Sequence, residues 1–194
     1  MVSLVPSPRA SSESDDRAQW YARELDWATA GTSPVRLLTG LRFDVLELPV
    51  AVGHAALRRV GRTGPVALAG QRMRLLVAAG SADELPGLLD WLEWGGIALD
   101  LSALGVGGHI TAPVPPGGAP GSPGTAVWLR PPGSRQEVET SLPAVGGLGN
   151  RGGDAPDLVR LVDAAATECH RAKLAHARTR LWTHRPTGQP FAFS

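Results

Sequence analysis

Glu47, Asp100, Arg72, Arg74 and His109 are the residues of this chain whose types and settings could do chemistry. Two carboxylates held close together bind a pair of divalent ions about 4 Å apart, which brings together the attacking and leaving oxygens of a nucleotidyl transfer. Acids at i and i+2 of one strand do this most simply, because alternate side chains leave a strand on the same face. RFDVLELPV at 42–50 holds no such pair. Asp44 has Arg42 and Leu46 two residues away, Glu47 has Val45 and Pro49, and the two acids point to opposite faces. A metal site would therefore need Glu47 to meet an acid from elsewhere, and Asp100 in IALDLS is the candidate. An acid inside an apolar run must face water, a partner or a site. Arg72 and Arg74 alternate with Met73 and Leu75, so both leave one face of their strand, either solvated or offering forked donors to phosphate. His109, after Gly107 and Gly108, reads as a residue on the exposed face of a hairpin strand.

Charge is asymmetric at the carboxyl-terminal end. Beyond Glu168 the sequence has no acid, whereas Arg171, Lys173, Arg178, Arg180 and Arg185 are basic, with His170, His176 and His184 among them. Such a run complements the dipole at a helix C-terminus. It equally suits nucleic-acid phosphate or an acidic protein partner. Cys169 and His170 are adjacent on a helix, so their side chains diverge and make a poor nucleophile–base pair. Trp91 and Trp94 read as anchors of a helix end on the core, or as a stacking platform for bases.

Periodicity supplies the elements that must position these groups. Residues 1–12 are Ser/Pro-rich and read as a disordered lead, followed by a first helix from Asp15. The apolar run at 35–40 is open between strand and other structure, 42–49 is a strand ended by Pro49, and a helix in AVGHAALRRV closed by Gly61 follows. The run PVALAG precedes RMRLLVAAG, whose period-two alternation is that of a half-buried strand, and Ser81 with Glu84 forms a capping box for a helix that Gly95 stops. IALDLS and HITAPV are expected to pair as a hairpin around GVGG, and TAVWLRPP is a further strand. A Gly-rich stretch then precedes the strongest helix, about Pro156 to Arg180, capped by Asp154. This order predicts one α+β domain over 13–182, a mixed sheet packed by helices with a long C-terminal helix, and a tail at 183–194.

Several function classes are excluded at this level. A single cysteine excludes an intrachain disulfide, and a net charge of +1 excludes a whole-molecule electrostatic case for nucleic acid while allowing a local patch. The first residues lack the basic start and apolar run of a signal peptide. No segment approaches the roughly 18 apolar residues of a membrane span, so a cytoplasmic protein without a membrane partner is expected.

Three segments together, RFDVLELPV, GQRMRLLV at 70–77 and WLEWGGIALDLSALGVGGHITAPVPP at 91–116, resemble the Prim-Pol core of bifunctional DNA primase/polymerases, over roughly residues 34–130. The resemblance implies an RRM-like core. It puts Glu47 at the family's first acid, Pro49 at the second, Met73 at its histidine and Asp100 at its third acid, with the three segments' key positions 26 and 27 residues apart. Glu47 and Asp100 would be what remains of the catalytic and metal-binding set, for magnesium or manganese. Arg72, Arg74, Gly107, Gly108 and His109 would contact nucleotide, and Arg171, Lys173 and Arg178 nucleic acid. The implied function is binding of DNA or nucleotide with reduced or lost catalysis. Two alternatives stay open: an active primase/polymerase with a rearranged metal site, and a protein-interaction module docking through its basic final helix.

Overall fold

Alternation in the apolar runs between residues 43 and 104 decides the layering, because it gives each strand one face for helices and another for a second core. A computed structural model describes residues 8–118, 124–146 and 157–183. The chain begins with α1 (Pro8–Trp20), which runs into a π-helical turn, Tyr21–Leu25. There follow β1 (Thr29–Ala30), β2 (Arg36–Leu38), β3 (Phe43–Pro49), α2 (Val50–Val60), β4 (Val66–Ala69), β5 (Arg72–Ala78) and α3 (Ser81–Trp91). β6 (Ser102–Leu104), β7 (His109–Thr111), β8 (Val127–Arg130), α4 (Arg135–Ser141) and α5 (Leu158–Thr183) complete it.

The main sheet has the order β6-β3-β5-β4-β8, and β3-α2-β4-β5-α3-β6 is a ferredoxin-like split βαβ unit of the kind found in RRM-like cores. Its ladders are all antiparallel, so the α+β class holds while the expected mixed pairing does not. The reason is that each helix here crosses over a strand rather than returning its chain to the neighbouring position. Leu46, Leu48, Met73, Leu75 and Val77 face the helices and pack with Val52, Leu85, Leu158, Leu161, Val162 and Ala165. Gly53 lets α2 approach β5, since a Cβ there would lie 2.3 Å from the Met73 sulfur. On the other face Phe43, Val45 and Leu76 pack with Tyr21, Leu25, Trp27, Leu37 and Ile110, the last two from a small sheet of order β1-β2-β7.

Several local expectations change. β6 and β7 do not form a hairpin; they belong to different sheets, and the turn between them is tied to β2. Thr39 Oγ1 donates to Gly105 O at 2.6 Å, Thr39 N donates to Gly108 O at 3.0 Å, and Gly108 lacks the Cβ that would strike Thr39 Oγ1. These contacts make β2, not β6, the partner of β7. Residues 8–12, expected in the unstructured lead, are helical backbone continuous with α1. Ser81 is not the cap of α3: Asp44 Oδ2 accepts from Ala82 N at 2.8 Å, so the cap comes from β3. α3 ends at Trp91, short of Gly95, where Glu93 adopts a left-handed φ of 65°. Trp91 is 72% exposed and anchors nothing, whereas the Trp94 indole donates to Asp163 on α5. Asp154 and Pro156, expected at the start of the last helix, lie outside the described residues, as do 1–7 and 184–194. At the described start Asp157 Oδ1 accepts from Val159 N at 2.8 Å. No helix among the described residues is long and apolar enough to cross a membrane.

Candidate functional site

Glu47 leaves β3 on the face turned away from α2, α3 and α5, which it shares with Val45 and Pro49. The register sets Arg74 opposite Glu47 and Arg72 opposite Pro49 on β5. Asp100 is not in a strand but in the bend just before β6, whose Ser102 pairs with Glu47 on its other side. Arg72 reaches across this arrangement. Its Nε donates to Glu47 Oε1 at 3.2 Å, its Nη2 to the Glu47 carbonyl at 3.3 Å, and its Nη1 to Asp100 Oδ1 at 2.7 Å. Arg74 Nε takes the other Glu47 oxygen, Oε2, at 2.8 Å.

Two acids and two arginines thus form a neutral network. Glu47 and Arg74 have side chains only 19% and 17% exposed, while Asp100 at 65% stands at the open rim. Burial opposes the Arg72 charge, yet hydrogen bonds to and the charges of Asp100 and Glu47 hold its pKa above the ordinary arginine value. Arg74 Nη1 is buried and has no hydrogen-bond partner. The group bridging Glu47 and Asp100 is a guanidinium.

Family models, curated proteins and solved structures give no match to this chain.

The geometry bears directly on magnesium or manganese. A divalent ion shared by Glu47 and Asp100 would need free oxygens facing one another, and both Glu47 oxygens already accept from arginine. Arg72 also occupies the span between the two acids with a permanent charge. As they are arranged, the residues fit a fixed cation supplied by the chain and do not fit a shared metal. Asp44 offers no remedy, since it is buried on the opposite face capping α3, with one carboxylate oxygen left without a partner.

Met73, the position aligned with a phosphate-contacting histidine, lies opposite Leu48 and is fully buried under α2. Parity therefore puts it on the wrong face, and the β5 residues that share a face with Glu47 are Arg72 and Arg74. Gly107, Gly108 and His109 sit beyond the Asp44 end of β3, where the chain crosses to the second sheet, and His109 is exposed opposite Leu38. They do not join the Glu47 network.

Sequence reasoning missed what holds Asp100. Cys169 Sγ donates to the Asp100 carbonyl at 3.4 Å, and Lys173 Nζ donates to the Ala98 carbonyl at 3.0 Å. The two side chains are one helical turn apart on α5, so together they pin the segment that carries Asp100. The i, i+4 spacing was the visible signal, without any indication of its target. Burial, with the Asp100 charge adding to it, pushes the Cys169 thiol up to about 11, which keeps it protonated and unreactive near neutrality. Elsewhere on α5, Arg171 pairs with Glu168 at 3.0 Å, and Arg178 is exposed.

Proposed function

We propose that this chain is a primase/polymerase-like domain that binds DNA or nucleotide and no longer carries out nucleotidyl transfer. The observation that carries this reading is Arg72, whose guanidinium bonds both Glu47 and Asp100. A two-metal transfer needs anionic oxygens turned toward the ions, and here the acids of the sheet face are neutralised by neighbours from β5. What supports a binding role is the split βαβ core together with the basic residues of the second half of α5. The reading carries a cytoplasmic location.

The test is a primer-synthesis and primer-extension assay with Mn²⁺ and dNTPs, run beside a DNA-binding titration. Binding without extension is the expected result. Robust extension that disappears in Asp100→Ala would overturn the loss of catalysis, and absence of binding to DNA and dNTPs at low salt would overturn the rest.

A further inference from the structure

α5 has two different faces along its length. Leu158, Leu161, Val162, Ala165 and Cys169 are buried against the sheet and the other helices. On the opposite crest lie Arg160, Arg171 and Arg178, all exposed. At about 3.6 residues per turn, Arg160 and Arg178 differ by five full turns, and Arg171 falls within about 20° of the same line. The stripe is about 27 Å long at roughly 1.5 Å per residue. Thr167 and Leu174 both lie within about 40° of this line, and Leu174 is an exposed apolar side chain, 52% accessible, between Arg171 and Arg178.

The last turn of α2 brings Arg59 to this stripe through Glu168, and Arg58, its neighbour in sequence, is exposed as well. Arg59 Nη1 and Arg171 Nη1 approach the same oxygen of Glu168, at 3.3 and 3.0 Å, so one carboxylate holds two guanidiniums side by side. The other acid in the exposed part of α5, Asp163, accepts from the Trp94 indole. Asp163 and the exposed Asp157 both keep their charge, so five arginines stand against three acids with Glu168 and the surface stays net positive, which the overall value of +1 conceals.

We infer that this crest, Arg58 and Arg59 with Arg160, Arg171 and Arg178, binds the phosphodiester backbone of nucleic acid without regard to sequence. The inference rests on the nucleic-acid-binding reading above and narrows it to one surface, shared by α5 and the end of α2, and to one chemistry, the phosphodiester backbone. α5 covers the helix-side face of the sheet, and its crest points away from the Glu47 face. The chemistry favours nucleic acid over an acidic protein. One exposed leucine, Leu174, falls short of the packed apolar cluster on which a protein interface depends, whereas several guanidiniums along one convex surface suit a line of phosphates.

The experiment is fluorescence anisotropy with a labelled single strand of DNA, a DNA duplex, the corresponding RNA and poly-L-glutamate as probes, from about 50 to 200 mM salt. All three nucleic acids should bind with a log–log salt dependence. Arg160→Ala and Arg178→Ala should each lower the slope by about 1 and weaken binding uniformly across sequences. The double variant should lose affinity about tenfold or more near 0.1 M salt. Arg23→Ala, an exposed arginine on the far side of the domain, should bind as the native chain does, and circular dichroism should show each variant folded. Binding that the crest variants leave unchanged overturns the assignment, as does poly-L-glutamate binding as tightly as DNA. If a crest variant loses binding while primer extension proves robust, the crest stands and the loss of catalysis fails. If binding persists in the crest variants without extension, the opposite holds.

Discussion

Arg72 holds two acids at once, and removing it frees Asp100 and one oxygen of Glu47, while Arg74 keeps the other. Asp100 is 65% exposed, and only one oxygen of the half-buried Glu47 loses its donor. Arg72→Ala is therefore expected to destabilise the fold by about 1 kcal/mol, the low end of the cost of an unpaired polar group, read from the urea unfolding midpoint. Arg72→Lys should recover only part of this, since an ammonium cannot fork between Glu47 and Asp100. Equal stability of Arg72→Lys and the native chain would show that charge alone, without the fork, suffices. Much of this site could be read from the chain: alternation put Arg72 and Arg74 on one face, and parity separated Asp44 from Glu47. That Arg72 would turn to both Glu47 and Asp100 could not be read. It depends on the β3–β5 register and on a bend held by Cys169 and Lys173, none of which is a local property.

Among the elements, α3 shows how a cap can be supplied from a distance. Ser81 and Glu84 have the spacing of a capping box, yet Asp44 takes the role because β3 delivers a buried carboxylate to the first turn of the helix. Asp44→Ala should therefore cost about 2 kcal/mol, between the loss of a cap and an unsatisfied buried amide. Ser81→Ala should cost well under half of that, and thermal unfolding of the two variants separates the roles. α4 is the converse case. Its capping box, Ser134 with Glu137, is present in both halves and was visible in the sequence GSRQEVETS, but the Gly/Pro surroundings masked it. β6 and β7 differ again, because their hairpin signal was a genuine turn whose outgoing strand found a better partner in β2.

For the whole molecule, the important asymmetry is between a neutralised sheet face and a basic helix crest on the opposite side. From Arg171 to Thr179, α5 is exposed at every position except the half-buried Ala172, so this stretch adds little to the core. A chain ending at Lys173 should keep its unfolding temperature within a few degrees of native, because exposure rather than position decides tolerance to truncation. The same chain should bind DNA more weakly and with a shallower salt slope, having lost Arg178, Arg180 and Arg185. A large drop in unfolding temperature would mean that this part of α5 packs more than its exposure indicates.

The sequence by itself determined the elements and their faces. The alternation of β3 and β5, the apolar stripe of α5 and the arginines at helical spacing along its crest are short-range patterns that the backbone periods of strand and helix translate directly. Tertiary structure alone decided the partners. Glu47 and Asp100 meet through Arg72, Asp44 is committed to α3, β7 leaves β6 for β2, and Arg59 of α2 lies beside Arg171 of α5. Each of these joins residues far apart in the chain, and their meeting depends on strand register and helix packing, which no local window contains.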